Sequence, residues 1–269
     1  VRVARTLWRV DYRVYVLTAI GIVPATPLLV PELGGAAAGE LAALREHTVA
    51  VAAGLADRCD RWTVLGVQGA RETPAARSLA GSPVGSFAGF GVDVRVSLDG
   101  APAPAVTDAA MPLPLLIAGW LRGAVGAGCA VAAELVDGAA DPSDCAAAGR
   151  ALAGQLAGSP LREGVLVVAD GPTTLTAKAP GAFDPRAAGL DAALRAAFAA
   201  GDLSCLAALD EVLCAELGVE GRAPWQVLAG VVGDGAVRDA VVFADAPYGV
   251  GYYACLWLPA GEDSTGVLA

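Results

Sequence analysis

The polar groups best arranged for chemistry gather in one stretch: Asp170, Thr173, Thr174, Lys178, Asp184 and Arg186 follow directly on the apolar run Val165-Leu166-Val167-Val168. A run that is apolar on both faces is expected of a central strand in a parallel sheet, and ligands of open α/β sheets sit beyond the carboxyl ends of such strands. Two chemistries compete for residues 170–186. In one, Lys178 or Arg186 pairs with an anionic small molecule while Asp170 accepts a hydrogen bond. In the other, Asp170 and Asp184 cap turns or helices and Lys178 is solvated. The second is the plainer and the favoured reading. Lys178 is the only lysine among 18 basic residues, as GC-rich coding would produce.

The remaining inventory removes several mechanisms. His47 is the only histidine, and it lies at the border of a helical apolar stripe, one turn from Leu44 and Val51, which marks it as a boundary residue. Ser-His-Asp or Cys-His catalysis would have to recruit it, and no G-x-S-x-G elbow is present. The six cysteines are scattered without a CxxC pair, so neither four-coordinate zinc nor a disulfide scaffold is expected. They read as small core residues of a reducing, cytoplasmic protein. A net charge of -10 repels polyphosphate and argues against a nucleic-acid partner. Trp225, Tyr248 and Tyr252 stand beside glycine and proline, where aromatic residues serve more often as core anchors than as pocket walls. Asp245, before Ala246-Pro247, is a turn residue.

The elements that must carry these groups alternate. Residues 14–23 form an apolar strand that ends at Pro24-Ala25-Thr26-Pro27, and a helix follows Gly34-Gly35 to about Asp57 with Leu41, Leu44, Thr48, Val51 and Leu55 on one face. A second buried strand covers 62–67 and opens a loop at Gln68, parallel to the first because a helix joins them. Residues 69–91 read as a Gly-, Pro- and Ser-rich loop that feeds a strand over 92–98. A helix at 115–125, a strand at 129–136 and a helix at 142–157 with Asp141 as N-cap lead to the central strand ending at Ala169. Successive helices fill 185–232, with starts at Asp202 and Ala223-Pro224, and two strands at 237–243 and 251–258 close the chain. The whole predicts a single α/β domain with a mostly parallel central sheet flanked by helices and two C-terminal strands. A pocket is expected at the loops after Val23, Val67 and Ala169.

The hydrophobic fraction of 55% is largely alanine, and the uncharged window 14–31 contains Pro24, Pro27 and Pro31, so it cannot be a continuous spanning helix. Arg2, Arg5, Arg9 and Arg13 ahead of an apolar run also fit a signal peptide, the weaker of the two readings. The chain starts at Val1 and its only methionine is Met111, which suggests a true start near Val14 or Val16. Residues 1–13 then form a leader that is disordered or superfluous, residues 14–260 the domain, and residues 261–269 a tail.

Several segments resemble the B-subunit family of class III extradiol ring-cleavage dioxygenases. They are Ile22-Val23-Pro24-Ala25-Thr26-Pro27-Leu28-Leu29-Val30-Pro31, Ala169-Asp170-Gly171-Pro172-Thr173-Thr174 and Ala179-Pro180-Gly181-Ala182-Phe183-Asp184-Pro185, supported by 221–230 and 245–252. The resemblance implies an α/β fold that holds Fe(II) with two histidines and a glutamate and uses a third histidine as acid/base on a catechol. The positions it assigns to the two iron-binding histidines hold Ala25 and Gln68, and the acid/base position falls in Asp170-Gly171-Pro172-Thr173. Glu216 and Glu220 are the candidates for the glutamate. A methyl, an amide and one carboxylate do not make an iron site. The resemblance therefore implies a degenerate member with no expected cofactor, binding a small molecule or partner. Its positions Ala25, Gln68, Asp170 and Thr173, together with Lys178, Asp184, Arg186 and Tyr248 from the residue reading above, make the candidate pocket. Two alternatives stand beside it: an Fe(II) oxidoreductase with other ligands (Gln68, Asp170 and Glu216 or Glu220), and a non-catalytic subunit of a hetero-oligomer. A homo-oligomer is also compatible.

Overall fold

Strand alternation sends neighbouring side chains to opposite faces, and the first strand shows what that does here. In the computed structural model, β1 (Leu17–Val23) directs Ala19 and Val23 into one apolar cluster and Ile20 and Ile22 into another, all fully buried. The structure describes residues 17–35, 39–68, 84–100, 107–108 and 110–260. Residues 1–13 and 261–269, read above as leader and tail, lie outside them, as do residues 14–16.

The six-stranded sheet has the order β5-β2-β6-β1-β8-β7, built from β2 (Arg61–Val67), β5 (Ala130–Val136), β6 (Glu163–Val168), β7 (Val237–Asp245) and β8 (Tyr252–Pro259) around β1. Strands β5, β2, β6 and β1 run parallel, and β8 and β7 add on antiparallel. This is the single α/β domain the sequence predicts. Strands β1 and β2 are parallel as expected, with β6 inserted between them. Six of six residues of β6 are buried, which accounts for its unbroken apolar run.

Helices α2 (Ala42–Ala56) and α3 (Leu113–Ala124) cover one face, and α4 (Pro142–Ala157), α5 (Arg186–Ala200) and α8 (Arg222–Val232) cover the other. The stripe Leu41, Leu44, Thr48, Val51 and Leu55 is buried as its spacing requires, and each full Leu or Val burial stabilises by roughly 1.5–3 kcal/mol. Helices α4 and α8 touch backbone to backbone. A Cβ at Gly149 would lie 2.3 Å from the Val227 carbonyl oxygen and 2.7 Å from Gly230 Cα, so no larger residue fits that crossing.

Three features differ from what the sequence predicts. The helix after Gly34-Gly35 is α2, and ahead of it the proline-rich segment, expected as a loop, forms a 3-10 turn (Pro27–Leu29) and the short α1 (Pro31–Gly34), each opened by its proline. The strand expected over 92–98 shrinks to β4 (Arg95–Ser97), which pairs with β3 (Val84–Ser86) in a separate ribbon, whereas 84–86 had read as loop. Its alternation is real: Val96 and Leu98 are buried against α3 rather than within the main sheet. Asp141 occupies the N-cap position of α4 but its side chain makes no capping bond. Asp202 does cap α6 (Leu203–Ala207), its Oδ1 accepting from the Cys205 N–H at 3.0 Å, and Asp210 does the same for α7 (Glu211–Glu216) from Leu213 at 2.7 Å. No helix of the described residues is long and apolar enough to cross a membrane.

Candidate functional site

All four parallel strands end on one side of the sheet, and a cavity of about 570 Å3 opens there. The loop after β1 supplies Ala25, the end of β2 supplies Val67 and Gln68, and β6 supplies Val168 and Ala169. These are the three strand ends singled out from the sequence. The loop after β5 adds Asp137 and Gly138, the start of α3 adds Leu113 and Pro114, the end of α7 adds Ala215, and the α7–α8 connection adds Val219 and Glu220. The β5 contribution went unread, although the same strand-end rule applies to it and the Asp137-Gly138 turn signal is visible in the sequence.

Asp170 knots this rim together from the end of β6. Its Oδ1 accepts from the Ala25 N–H at 2.7 Å, and its carbonyl oxygen accepts from the Gly221 N–H at 3.0 Å, so one residue ties the β1 loop to the start of α8. Removal from water pushes its carboxyl up to about 7; the Ala25 N–H opposes that rise and the Glu220 charge adds to it. Tyr252, buried next to it on β8, has its phenol pushed up to about 12, first by burial and then by the Asp170 charge.

A raised folded-state carboxyl binds its proton more tightly than the unfolded chain does, so it favours folding below the unfolded value of 3.8 and loses that advantage as pH climbs through about 7. Asp170→Asn is therefore expected to gain stability relative to the parent between about pH 4 and pH 7 and to hold a constant difference above that. Urea midpoints across pH test this. A difference independent of pH would rule it out.

Beneath the rim, the loop 171–185 is pinned by backbone bonds: Gly171 N–H to Gly251 O at 2.8 Å, Thr173 N–H to Leu217 O at 3.0 Å and Leu175 N–H to Gly249 O at 3.1 Å. Thr173 packs on Gly218, whose φ of +66° ends α7 and whose missing Cβ would fall 2.1 Å from Thr173 Oγ1. Gly171 and Gly251 cross over Tyr253 in the same way, and the Tyr253 hydroxyl donates to Asp191 Oδ1 at 2.6 Å. Asp191 is in turn bonded by Arg195 Nε at 2.6 Å. Burial and the neighbouring Asp191 hold the Tyr253 phenol far above its ordinary range, so it stays protonated and keeps its donation to Asp191.

The structure brings Ala25 and Gln68 together on the cavity wall, with Asp170 directly behind Ala25, and it adds Glu220. It does not bring Thr173, Lys178, Asp184, Arg186 or Tyr248 onto that wall. Asp184 starts α5, its Oδ1 accepting from the Arg186 N–H at 2.9 Å, and the Arg186 guanidinium is engaged by Asp184 at 2.6 Å and by Glu216 at 2.8 Å. Lys178 is exposed. Tyr248 donates to Glu40 at 3.0 Å. Trp225 is a fully buried anchor edged against Phe198 and Tyr253, and Asp245 Oδ1 caps its own turn through the Ala246 N–H. His47 stacks on Phe243 with ring centroids 4.3 Å apart, away from the cavity wall, as a boundary histidine should.

The cavity's donors fit iron poorly: a methyl at Ala25, a carboxamide at Gln68 and the carboxylates of Glu220 and Asp137. Among the described residues, no three His, Cys, Asp or Glu side chains converge to hold a metal ion.

No protein-family model matches the chain, and no curated protein matches it. Among solved structures it is similar to an uncharacterized protein, JW3007, from Escherichia coli K12. The identity is 14% over 89% of this chain and 99% of that one, with a TM-score of 0.46, a likeness too distant to bear on function.

Proposed function

We propose that this chain binds a small organic molecule, as a degenerate relative of the extradiol dioxygenase B subunits that has kept the family's pocket without its iron chemistry. One observation carries the reading: Ala25 and Gln68, the positions the resemblance gives to the two iron-binding histidines, line a single cavity, and Glu220, a candidate for the glutamate, lines it with them. Three positions far apart in sequence meet on one cavity wall, and they carry only one strong iron donor. The cavity's volume of about 570 Å3 and its largely apolar walls suit a compact organic ligand. The six cysteines are free thiols, in keeping with a cytoplasmic setting.

Ala215 offers a clean test because it is exposed and still lines the cavity, so Ala215→Trp fills the space without disturbing the core. A small-fragment panel followed by ligand-observed NMR is expected to yield binders whose affinity falls by about tenfold or more in that variant. Elemental analysis of tag-free protein is expected to find far less than one iron per chain, with no catechol-dependent oxygen uptake. Near-stoichiometric iron together with such uptake would overturn the reading.

A further inference from the structure

The ionisable side chains on the cavity wall are all of one sign. Asp137 and Glu220 line it, Asp170 stands immediately behind Ala25 and Ala169, and no lysine, arginine or histidine lines it. The guanidinium of Arg222 backs the wall at Gly138 but is directed at protein acceptors: Gly138 O at 2.7 Å, Ala140 O at 2.5 Å and Gln226 Oε1 at 3.1 Å. Arg186 is held between Asp184 and Glu216. Asp137 Oδ1 accepts from the Ala139 N–H at 2.9 Å, whereas Glu220 is exposed and makes no ion pair among the described residues.

We propose that the cavity takes an organic cation, an amine or amidine on a compact apolar body, with Glu220 as the anchoring carboxylate and Asp137 as the second carboxylate on the wall. The inference rests on the small-molecule reading above and gives the ligand its class. An anion entering this space would face carboxylates with no compensating cation on the wall, at a cost that grows as water is excluded. A bare metal ion would meet mostly hydrocarbon, with too few oxygens to replace its water shell. An organic cation satisfies both features at once: its body covers Val67, Leu113, Pro114 and Val219 while its N–H groups meet carboxylate oxygen in charge-assisted bonds.

Three probes of nearly one shape, benzylamine, benzyl alcohol and benzoate, separate charge from fit when titrated into the full chain by NMR. Benzylamine is expected to bind about tenfold more tightly than benzyl alcohol and benzoate most weakly, a preference that Glu220→Gln cuts about fivefold and that added salt weakens. Because Glu220 is exposed, that variant keeps the fold, and its preserved unfolding midpoint would show it. Benzyl alcohol or benzoate binding as tightly as benzylamine, with Ala215→Trp abolishing all of it, would overturn the cation while leaving the pocket standing. If no probe binds in a way that Ala215→Trp removes, the pocket reading falls and this inference falls with it.

Discussion

Arg61→Ala is expected to lower the free energy of unfolding by about 3–5 kcal/mol. Glu163 opens β6 with a side chain of zero solvent exposure, and Arg61 at the start of β2 grips it with both arms: Nη2 to Oε1 at 2.6 Å and Nε to Oε2 at 3.1 Å. Taking away the guanidinium, itself 37% exposed, leaves a carboxylate of zero exposure without its partner until water enters from the Arg61 side, which costs more than the pair contributes. The double replacement Arg61→Met with Glu163→Leu is therefore expected to recover most of the loss, to within about 1–2 kcal/mol of the parent. Urea midpoints for the two variants decide the matter, and an Arg61→Ala loss under about 1 kcal/mol would show that the site relaxes to admit water. The pair sits at the amino ends of β2 and β6, across the sheet from the cavity, so ligand affinity per folded molecule should not change.

Arg222→Met acts on both stability and the site. This arginine is 3% exposed at the first turn of α8 and donates to the carbonyls of Gly138 and Ala140, fixing the loop that carries Asp137 and Gly138 into the cavity wall. Methionine fills much of the same volume but leaves those acceptors unmet, for an expected loss of about 3 kcal/mol. The loop should loosen as well, seen as faster amide hydrogen exchange over 137–140 and a several-fold drop in affinity for any cavity ligand. Arg222→Lys should recover only part, since one ammonium cannot reproduce the planar fork that reaches two carbonyls and the Gln226 oxygen together. Unchanged exchange over 137–140 in Arg222→Met would remove the claim that this residue positions the wall.

The helical and buried-strand parts of the fold were plain in the sequence because one physical signal governs each. The helix read at 142–157 matches α4, since Pro142 opens it and Ser159-Pro160 closes off its continuation. The run before Asp170 is apolar on both faces because β6 lies in the sheet's interior. The ribbon of β3 and β4 was misplaced for the opposite reason: Val92, Val94, Val96 and Leu98 alternate whether their inner face meets a sheet or a helix, and local pattern does not say which. The cavity's address could be read from strand polarity, but its walls could not. Ala215 and Val219 reach it only because Gly218 turns the chain there, and Arg186 leaves it because Glu216 is near in space rather than in sequence. Lys178, rare by codon usage, is exposed and off the cavity wall, which its type alone could not reveal.

The placing of β1 between β6 and β8 sets an order for assembly on the ribosome. The earliest strand described cannot complete its pairing until the last one has been synthesised, since Ile20 and Ile22 take their partners from Trp257 and Cys255. Throughout translation one side of β1 stays open to whatever strand is nearby. A nascent chain stalled before β8 thus carries an unpaired β1 edge open to mispairing with another strand.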